Sequence, residues 1–438
     1  MDRLHWRKRY RSLLTWLLPG LHVKRWLLIL IVGITLISLG LAYLLRTVYL
    51  AGHYPPWVYY LTLQFLPRPM RALLFGIVGL VITAWGLIGL NRSLLSPFLR
   101  PHADMAEALY RHRRRRRGPR IVCIGGGTGM PTLLRGLKQY TDNLTAIVTV
   151  ADDGGSSGRL RDGMGLLPPG DFRNNLAALS EAEAIVTQLF QYRFASGTGL
   201  DGHAFGNLYL AAMAGVTGSF EQGLLESSRV LAVRGRVLPS TLELVQLVAD
   251  IVDGTGALRR VRGESLIPEV AAGGRIHRVY LEPENPRAYP EAVRAILEAD
   301  MIVAGPGSLY TSVIPNLLVK EIAQAVVASR AAVKVYVCNI ATQRGETDGY
   351  DVDDHFQALI RHSERGAFHY VLANDGFDPV PPPHSEWVRL PARTVGYRLI
   401  TADLRDRERP WRHDSERMAR ILMELLAEVT GSRLAVPA

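Results

Sequence analysis

Two stretches near the start of the chain lack any polar rhythm. Residues 26–45, WLLILIVGITLISLGLAYLL, and residues 72–90, ALLFGIVGLVITAWGLIGL, are uncharged runs of 20 and 19 residues. A helix needs about 20 apolar residues to cross a hydrocarbon core, so each run predicts a transmembrane helix. Core helices would meet a charge sooner. Gly76, Gly79, Gly86 and Gly89 in the second run suit close helix contact. Beyond residue 118 the pattern changes to short apolar runs alternating with amphipathic ones. RIVCIGGGTGMPTLLRGLKQY reads as a buried strand, a glycine turn, and a helix from about Pro131 with Leu133, Leu134 and Leu137 on one face. TAIVTVAD follows as a second strand, completing a βαβ unit. Its turn lies at the carboxyl end of the first strand, where doubly wound folds place their ligands. Residues 299–318, ADMIVAGPGSLYTSVIPNLL, repeat the scheme of strand, glycine turn and apolar helix, and KVYVCNI reads as a further strand.

Composition changes this picture in two ways. With 438 residues and 48% hydrophobic content the chain is long and apolar enough for several folded units, which excludes a disordered protein. The net charge of +11 suggests nucleic acid until it is divided by position. The first 120 residues hold 19 of the 51 Lys and Arg but only 3 of the 40 Asp and Glu, so the remainder is net acidic. Nucleic acid is therefore not the expected ligand of the main domain. Residues 1–25 carry seven Lys and Arg, the segment 46–71 carries three, and RHRRRRRGPR follows the second run. This asymmetry predicts two spans with both termini and the main domain cytoplasmic. Tyr49, Tyr54, Trp57, Tyr59 and Tyr60 suit an outer interfacial belt, or equally a small packed loop. Arg113 to Arg117 follow a span too closely to read as a nucleic-acid tail, and are expected on anionic lipid headgroups. Cys123 and Cys338, the only cysteines, lie in apolar runs, which argues against a disulfide framework and for a reducing compartment. The expected organisation is a basic segment 1–25, a two-helix anchor 26–90 with outer loop 46–71, a basic linker 91–118, a cytoplasmic domain 119–432 and a tail 433–438.

Candidate chemistry clusters at the glycine turns. Gly125, Gly126, Gly127, Thr128 and Gly129 do not match the dinucleotide fingerprint, whose third position falls on Met130 or Thr132, and no Lys-Ser/Thr pair makes a Walker loop. The turn is generic for phosphate, or serves only as a sharp connection. Gly305, Gly307 and Ser308 form a second turn of the same polarity, suited to a diphosphate at a helix N-terminus. Tyr310 follows, either to stack on a base or sugar or to pack internally. TVADDGGSSGRLRD sets Asp152 and Asp153, which repel phosphate, before Gly154 and Ser156 in a glycine-serine loop that attracts it. Asp171 reads as a helix N-cap or a ligand group, with Asn174 and Asn175 behind it. His203 and Asn207 stand four apart, on one face if a helix has begun. Asp152, Asp153 and His203 are the catalytic candidates; no nucleophile stands out. Arg344, on the polar loop of CNIATQRGETDG, can neutralise phosphate.

The ordered motifs GGGTG, ADDGGSSGRLR, PPGDFRNNL, GHAFGNLYLAA, GPGSLYTS and CNIATQRGETDG resemble the YvcK/CofD-like family, and within it the gluconeogenesis-factor branch, over roughly residues 119–432. The resemblance implies a Rossmann-like, doubly wound, mostly parallel α/β sheet with a smaller helical insertion. One branch of that family transfers 2-phospholactate from a guanosine diphosphate derivative to a deazaflavin alcohol, with magnesium. The other is associated with cell shape and wall synthesis during gluconeogenic growth and binds UDP-sugars such as UDP-N-acetylglucosamine. GPGSLYTS and TQRGETD favour the second branch. The resemblance places Tyr310 and Arg344 at its UDP-sugar positions and Thr347 at a regulatory phosphorylation position, and on it Asp152, Asp153 and Asn207 are expected to read sugar hydroxyls or hold an ion, with Asp152 or Asp153 holding magnesium if the chain is a transferase. Family members typically begin near the first strand, so the two spans are a departure that favours membrane tethering. Self-association into a homo-oligomer is compatible with all of this.

Overall fold

The computed structural model describes residues 32–42, 46, 56–95, 115, 118–195, 197, 199–378, 382, 384–394 and 396–431. The chain divides into two units, Met1–Arg114 and Arg115–Ala438.

In the first unit, Arg68–Leu95 is one helix of 28 residues. It starts where Pro69 fits a first helical turn without forfeiting a hydrogen bond. Its segment Arg68–Gly86 has a mean hydropathy of 1.6 and contains no buried residue, and among the described residues it is the one helix long and apolar enough to cross a membrane. The 72–90 run therefore lies inside a longer helix than expected, and that helix takes in the last residues assigned to the outer loop. Of the earlier run, Val32–Ala42 is helical and apolar but shorter; residues 26–31 and 43–45 lie outside the described residues. A second piece of the expected loop is also helical, Pro56–Leu61, and exposes Trp57, Tyr59 and Tyr60. Of the arginine collar only Arg115 is described; Arg113, Arg114, Arg116 and Arg117 lie outside, as does the tail 433–438.

The second unit is built on a seven-stranded sheet. Its strands are β1 (Ile121–Gly125), β2 (Leu144–Val148), β3 (Arg236–Pro239), β7 (Met301–Ala304), β8 (Val333–Val337), β9 (Tyr370–Asn374) and β10 (Arg398–Ala402). The spatial order is β10-β9-β8-β7-β1-β2-β3, and every pairing is parallel. Strands β1, β2, β7 and β8 are buried at every position, as parallel strands covered on both faces must be, which explains why they are mostly apolar, with Thr145 and Lys334 the polar exceptions. The order is that of a dinucleotide-type doubly wound sheet, which reverses direction between β1 and β7.

Helix α1 (Gly129–Leu137) joins β1 to β2 and buries Leu133, Leu134 and Leu137 as its periodicity predicts. The helical insertion lies between β2 and β3: α2 (Gly155–Met164), α3 (Gly170–Leu179), α4 (Glu183–Gln191), α5 (Phe205–Thr217) and α6 (Phe220–Val230). A second insertion precedes β7. It is an antiparallel sheet of β4 (Gln246–Val252), β5 (Leu258–Arg262) and β6 (Arg275–Glu282), ordered β5-β4-β6, with α7 (Ile267–Ala271) between β5 and β6. Helix α8 (Pro290–Leu297) then leads into β7. Beyond β7 the expected apolar helix opens as a π-helical turn, Leu309–Val313, in which the Val313 amide donates to the Ser308 carbonyl at 3.0 Å. Helices α9 (Ile314–Leu317), α10 (Lys320–Ala328), α11 (Val352–Arg361) and α12 (Ser415–Thr430) complete the layers.

Candidate functional site

The reversal between β1 and β7 brings the two glycine turns into contact. The Gly305 amide donates to the Ile124 carbonyl at 3.0 Å, and the Thr149 amide after β2 donates to the Gly125 carbonyl at 3.2 Å. A side chain on Gly129 would put its Cβ 2.3 Å from the Pro306 carbonyl oxygen, and one on Gly126 would meet Asp171 Oδ2 at 2.4 Å. Glycine is required here because backbone and carboxylate approach too closely for any Cβ. Gly127 adds a second reason, with φ at +63°.

One amide in each turn is already engaged within the protein. The Gly127 amide donates to Asp171 Oδ2 at 2.8 Å, and the Gly307 amide donates to Asn339 Oδ1 at 3.1 Å. Asp171 is accordingly no N-cap: it sits in the first turn of α3 behind Pro169 and reaches across to the first glycine turn. Loss of hydration pushes its pKa up to about 6, with Asp152 adding repulsion and Gly127 and Arg173 opposing.

Asp152 and Asp153 divide in role. Asp152 is half-buried beside Asp171; burial raises its pKa, while hydrogen bonds from the Gly154 amide and Ser157 and the proximity of Arg173 work against this. Asp153 instead accepts from the Glu264 amide at 3.0 Å and the Ser265 amide at 2.9 Å. Each Asp153 oxygen thus fastens the loop after β5 to the glycine-serine loop, while Asp171, which the sequence did not pair with Asp152, lies close enough to repel it. Among the described residues no three His, Cys, Asp or Glu side chains form a metal-ligand cluster. Magnesium, however, commonly rests on one or two carboxylates with phosphate oxygens completing its shell, and Asp152 and Asp171 fit that donor set.

His203 precedes α5 rather than lying on it, yet it meets Asn207 at one atom. Ser156 Oγ is 3.0 Å from His203 Nδ1 and accepts from Asn207 Nδ2 at 3.0 Å and from the Ala204 amide at 3.4 Å. The serine hydroxyl is buried and its bonding capacity filled, so this is a pin between α2 and α5 rather than an activated nucleophile. Burial and the nearby Arg159 lower the His203 pKa. The side-chain oxygens of Asn175 and Asn207 are buried without a hydrogen-bond partner.

Tyr310 is 1% exposed. Its hydroxyl lies 2.9 Å from that of Tyr350, and its ring packs edge-on against Tyr350 and His362. Its amide donates to Glu346 Oε2 at 3.0 Å. The ring is a core element, which corrects the expectation that it stacks on a ligand. Arg344 is exposed on the loop after β8. Thr347 in the same loop is fully buried, its hydroxyl accepting from the Gln343 amide at 2.9 Å. Ser308 is half-buried at the start of the π-helical turn, without a capping side-chain bond.

Several residues at this edge carried no readable mark in the sequence. Glu346 fixes the π-helical turn, also accepting from Thr311 Oγ1 at 3.0 Å. Glu264 is held at the edge by Asp153, and burial with the charge of Asp152 pushes its pKa up to about 8. Arg173 stands inside the motif PPGDFRNNL but lacked a periodicity or spacing to single it out. Thr128 and Asn174 turn toward a neighbouring cavity that Arg173 also lines.

The family profile described as 2-phospho-L-lactate transferase CofD matches residues 121–428, most of the second unit. The chain belongs to the CofD/YvcK family. Among its relatives, the gluconeogenesis factor of Bacillus subtilis is 46% identical over 322 residues, covering 71% of this chain and 99% of that protein. A Clostridium acetobutylicum relative is 41% identical over 430 residues, covering 94% of this chain and 92% of its own. That match reaches into the N-terminal segment, so CofD/YvcK proteins do not all begin at the first strand. A crystal structure of a UPF0052 family protein from Bacillus halodurans superposes with a TM-score of 0.64 at 43% identity, covering 70% of this chain and 99% of that one.

Proposed function

We propose that this CofD/YvcK protein binds a UDP-sugar, of the UDP-N-acetylglucosamine kind, at the β1–β7 reversal, as a regulator coupling carbon supply to envelope synthesis and cell shape. The observation that carries the reading is a set of acceptors behind the glycine turns: the Asp152 and Asp171 carboxylates, close enough to repel one another, and the buried, unpartnered side-chain oxygens of Asn175 on α3 and Asn207 on α5. Buried acceptors without donors are costly, and a sugar supplies hydroxyl donors in number. The name of the Bacillus subtilis relative supports the metabolic context. The apolar helix Arg68–Leu95 supports a membrane-anchored, cytoplasm-facing form. Calorimetry on the full-length chain in detergent tests the ligand. Saturable heat with UDP-N-acetylglucosamine is expected, weakened roughly tenfold by Asp152→Ala, as for loss of a hydrogen bond to a charged group. No heat with this ligand, alongside binding of a guanosine nucleotide, overturns it.

A second reading, a transferase like the family's namesake, draws on the same Asp152 and Asp171 pair. Magnesium held there would neutralise phosphate charge on a nucleotide donor. Arg173, beside both carboxylates, would help orient the donor. Release of nucleotide from a donor and candidate acceptors, abolished by Asp152→Ala, would favour turnover over pure sensing.

A further inference from the structure

Four arginines line one cavity of about 390 Å³: Arg135, Arg173, Arg193 and Arg412, with Thr128 and Thr187 among the remaining wall. Among the described residues no acidic side chain lines it. Arg135 is neutralised by Glu183, which also pairs with Lys138. Among the described residues the other three make no ion pair, although Arg173 feels the charges of Asp152 and Asp171 nearby. Arg173 buries Nε and Nη1 without an acceptor among the described residues, as Thr187 buries its hydroxyl. Arg193 donates to the Gly202 carbonyl at 2.8 Å. The Arg412 side chain is exposed and makes no hydrogen bond or ion pair among the described residues. Burial first, and repulsion from Arg193 second, hold the Arg173 guanidinium below its ordinary range, with Asp152 and Asp171 only partly opposing them.

Buried donors left unpaired and like charges held together both cost free energy, and a polyanion relieves both at once. Guanidinium groups match phosphate oxygens in a bidentate fork. The cavity also receives the start of α1, a helix of nine residues whose N-cap Thr128 makes no capping side-chain bond. The positive end of that helix adds to the same field. Pro131, Ala177 and Phe190 supply an apolar wall for an organic portion, and the volume is within the ordinary range for a small-molecule site.

We propose that this cavity is a phosphate site, in which Arg173, Arg193 and Arg412 take either the diphosphate of the crevice ligand or the phosphate of a second small molecule. Arg173 also lies beside Asp152 and Asp171, so cavity and crevice share a wall. The site answers the demand that the glycine turns leave open, since the Gly127 and Gly307 amides already have acceptors. It stands apart from the UDP-sugar reading, because the cluster calls for phosphate whichever molecule bears it.

The test is calorimetric titration of the full-length chain in detergent with inorganic pyrophosphate. Saturable binding that weakens with added salt is expected. Arg193→Ala and Arg412→Ala, both at exposed side chains, should each weaken it about tenfold, while Arg365→Ala, an exposed arginine elsewhere, leaves it unchanged. Repeating the titration with saturating UDP-N-acetylglucosamine separates the two sources. Displacement assigns the site to the nucleotide's diphosphate, and undiminished binding assigns it to a second phosphorylated ligand. Absence of saturable pyrophosphate binding overturns the proposal. So does binding that Arg193→Ala and Arg412→Ala both leave within about twofold of the parent. If pyrophosphate binds through these arginines while UDP-N-acetylglucosamine gives no heat, the UDP-sugar reading fails and the phosphate site stands.

Discussion

Glu346 shows how a single carboxylate at this edge ties ligand chemistry to folding. It is 4% exposed and accepts from the Tyr310 amide, the Thr311 hydroxyl and the Gln343 side-chain amide. Burial outweighs these bonds and pushes its pKa up to about 7. The folded protein therefore holds the proton more tightly than the unfolded chain, whose glutamates titrate at about 4.3. Its contribution to stability is full below about pH 4 and is lost as pH rises through about 7. At about 1.4 kcal/mol per unit the loss is on the order of 3 kcal/mol. Urea unfolding of the parent and Glu346→Gln at about pH 5 and about pH 8 should show the parent losing stability relative to the variant, and a constant difference would refute the assignment. Residue roles were the least legible level. The sequence marks Asp152 and Asp153 alike, yet one faces the crevice and the other holds two backbone amides. That distinction depends on a loop more than a hundred residues away. Tyr310 is equally opaque, because a tyrosine that packs and one that stacks on a base have the same local surroundings in sequence.

At the scale of elements, the decisive contact is backbone against backbone where the two turns meet. Gly129→Ala would drive a Cβ to 2.3 Å from the Pro306 oxygen, and no rotamer change relieves a clash with main chain. The expected result is a loss of about 1–3 kcal/mol in urea unfolding and weaker UDP-N-acetylglucosamine binding. Gly163→Ala provides the contrast: it lies in α2 with open space around its Cβ position, and should stabilise by up to about 1 kcal/mol through helix propensity. Equal effects of the two substitutions would show that the turns are not closely apposed. Elements whose periodicity matches their burial were readable in kind and order: β1, α1 and β2 follow one another as expected, although α1 begins at Gly129, two residues before Pro131, and β2 ends at Val148, short of the full TAIVTVAD run. The antiparallel insertion was not. Its edge strand β5 is Leu-Arg-Arg-Val-Arg, mostly exposed, and is held by surface pairs such as Arg260–Asp250 and Arg262–Glu282. Such pairs leave no alternation of apolar and polar residues to read. The π-helical turn after β7 was likewise hidden, because its i to i+5 bond depends on Glu346 and not on local propensity.

For the whole molecule, the division of charge and the exposure of Arg68–Leu95 make one physical demand. Of the net +11, all of the positive excess lies in the first 120 residues, which also hold a helix whose apolar segment has no buried residue. Left in water, that surface would cost about 25 cal/mol per Å², a penalty that a bilayer removes. Two attachments are physically distinct here. A basic collar held on anionic headgroups acts over the Debye length, which shrinks to about 3 Å at about 1 M salt, so high salt would release it. A spanning helix is indifferent to salt and yields only to detergent. The full-length chain is expected in the membrane fraction after a high-salt wash and in the soluble fraction after detergent, while a chain beginning at Arg115 should be soluble throughout. Release of the full-length chain by salt alone would reduce the attachment to electrostatics and remove the spanning helix from the reading. Retention of the shortened chain would move the membrane contact into the α/β unit itself.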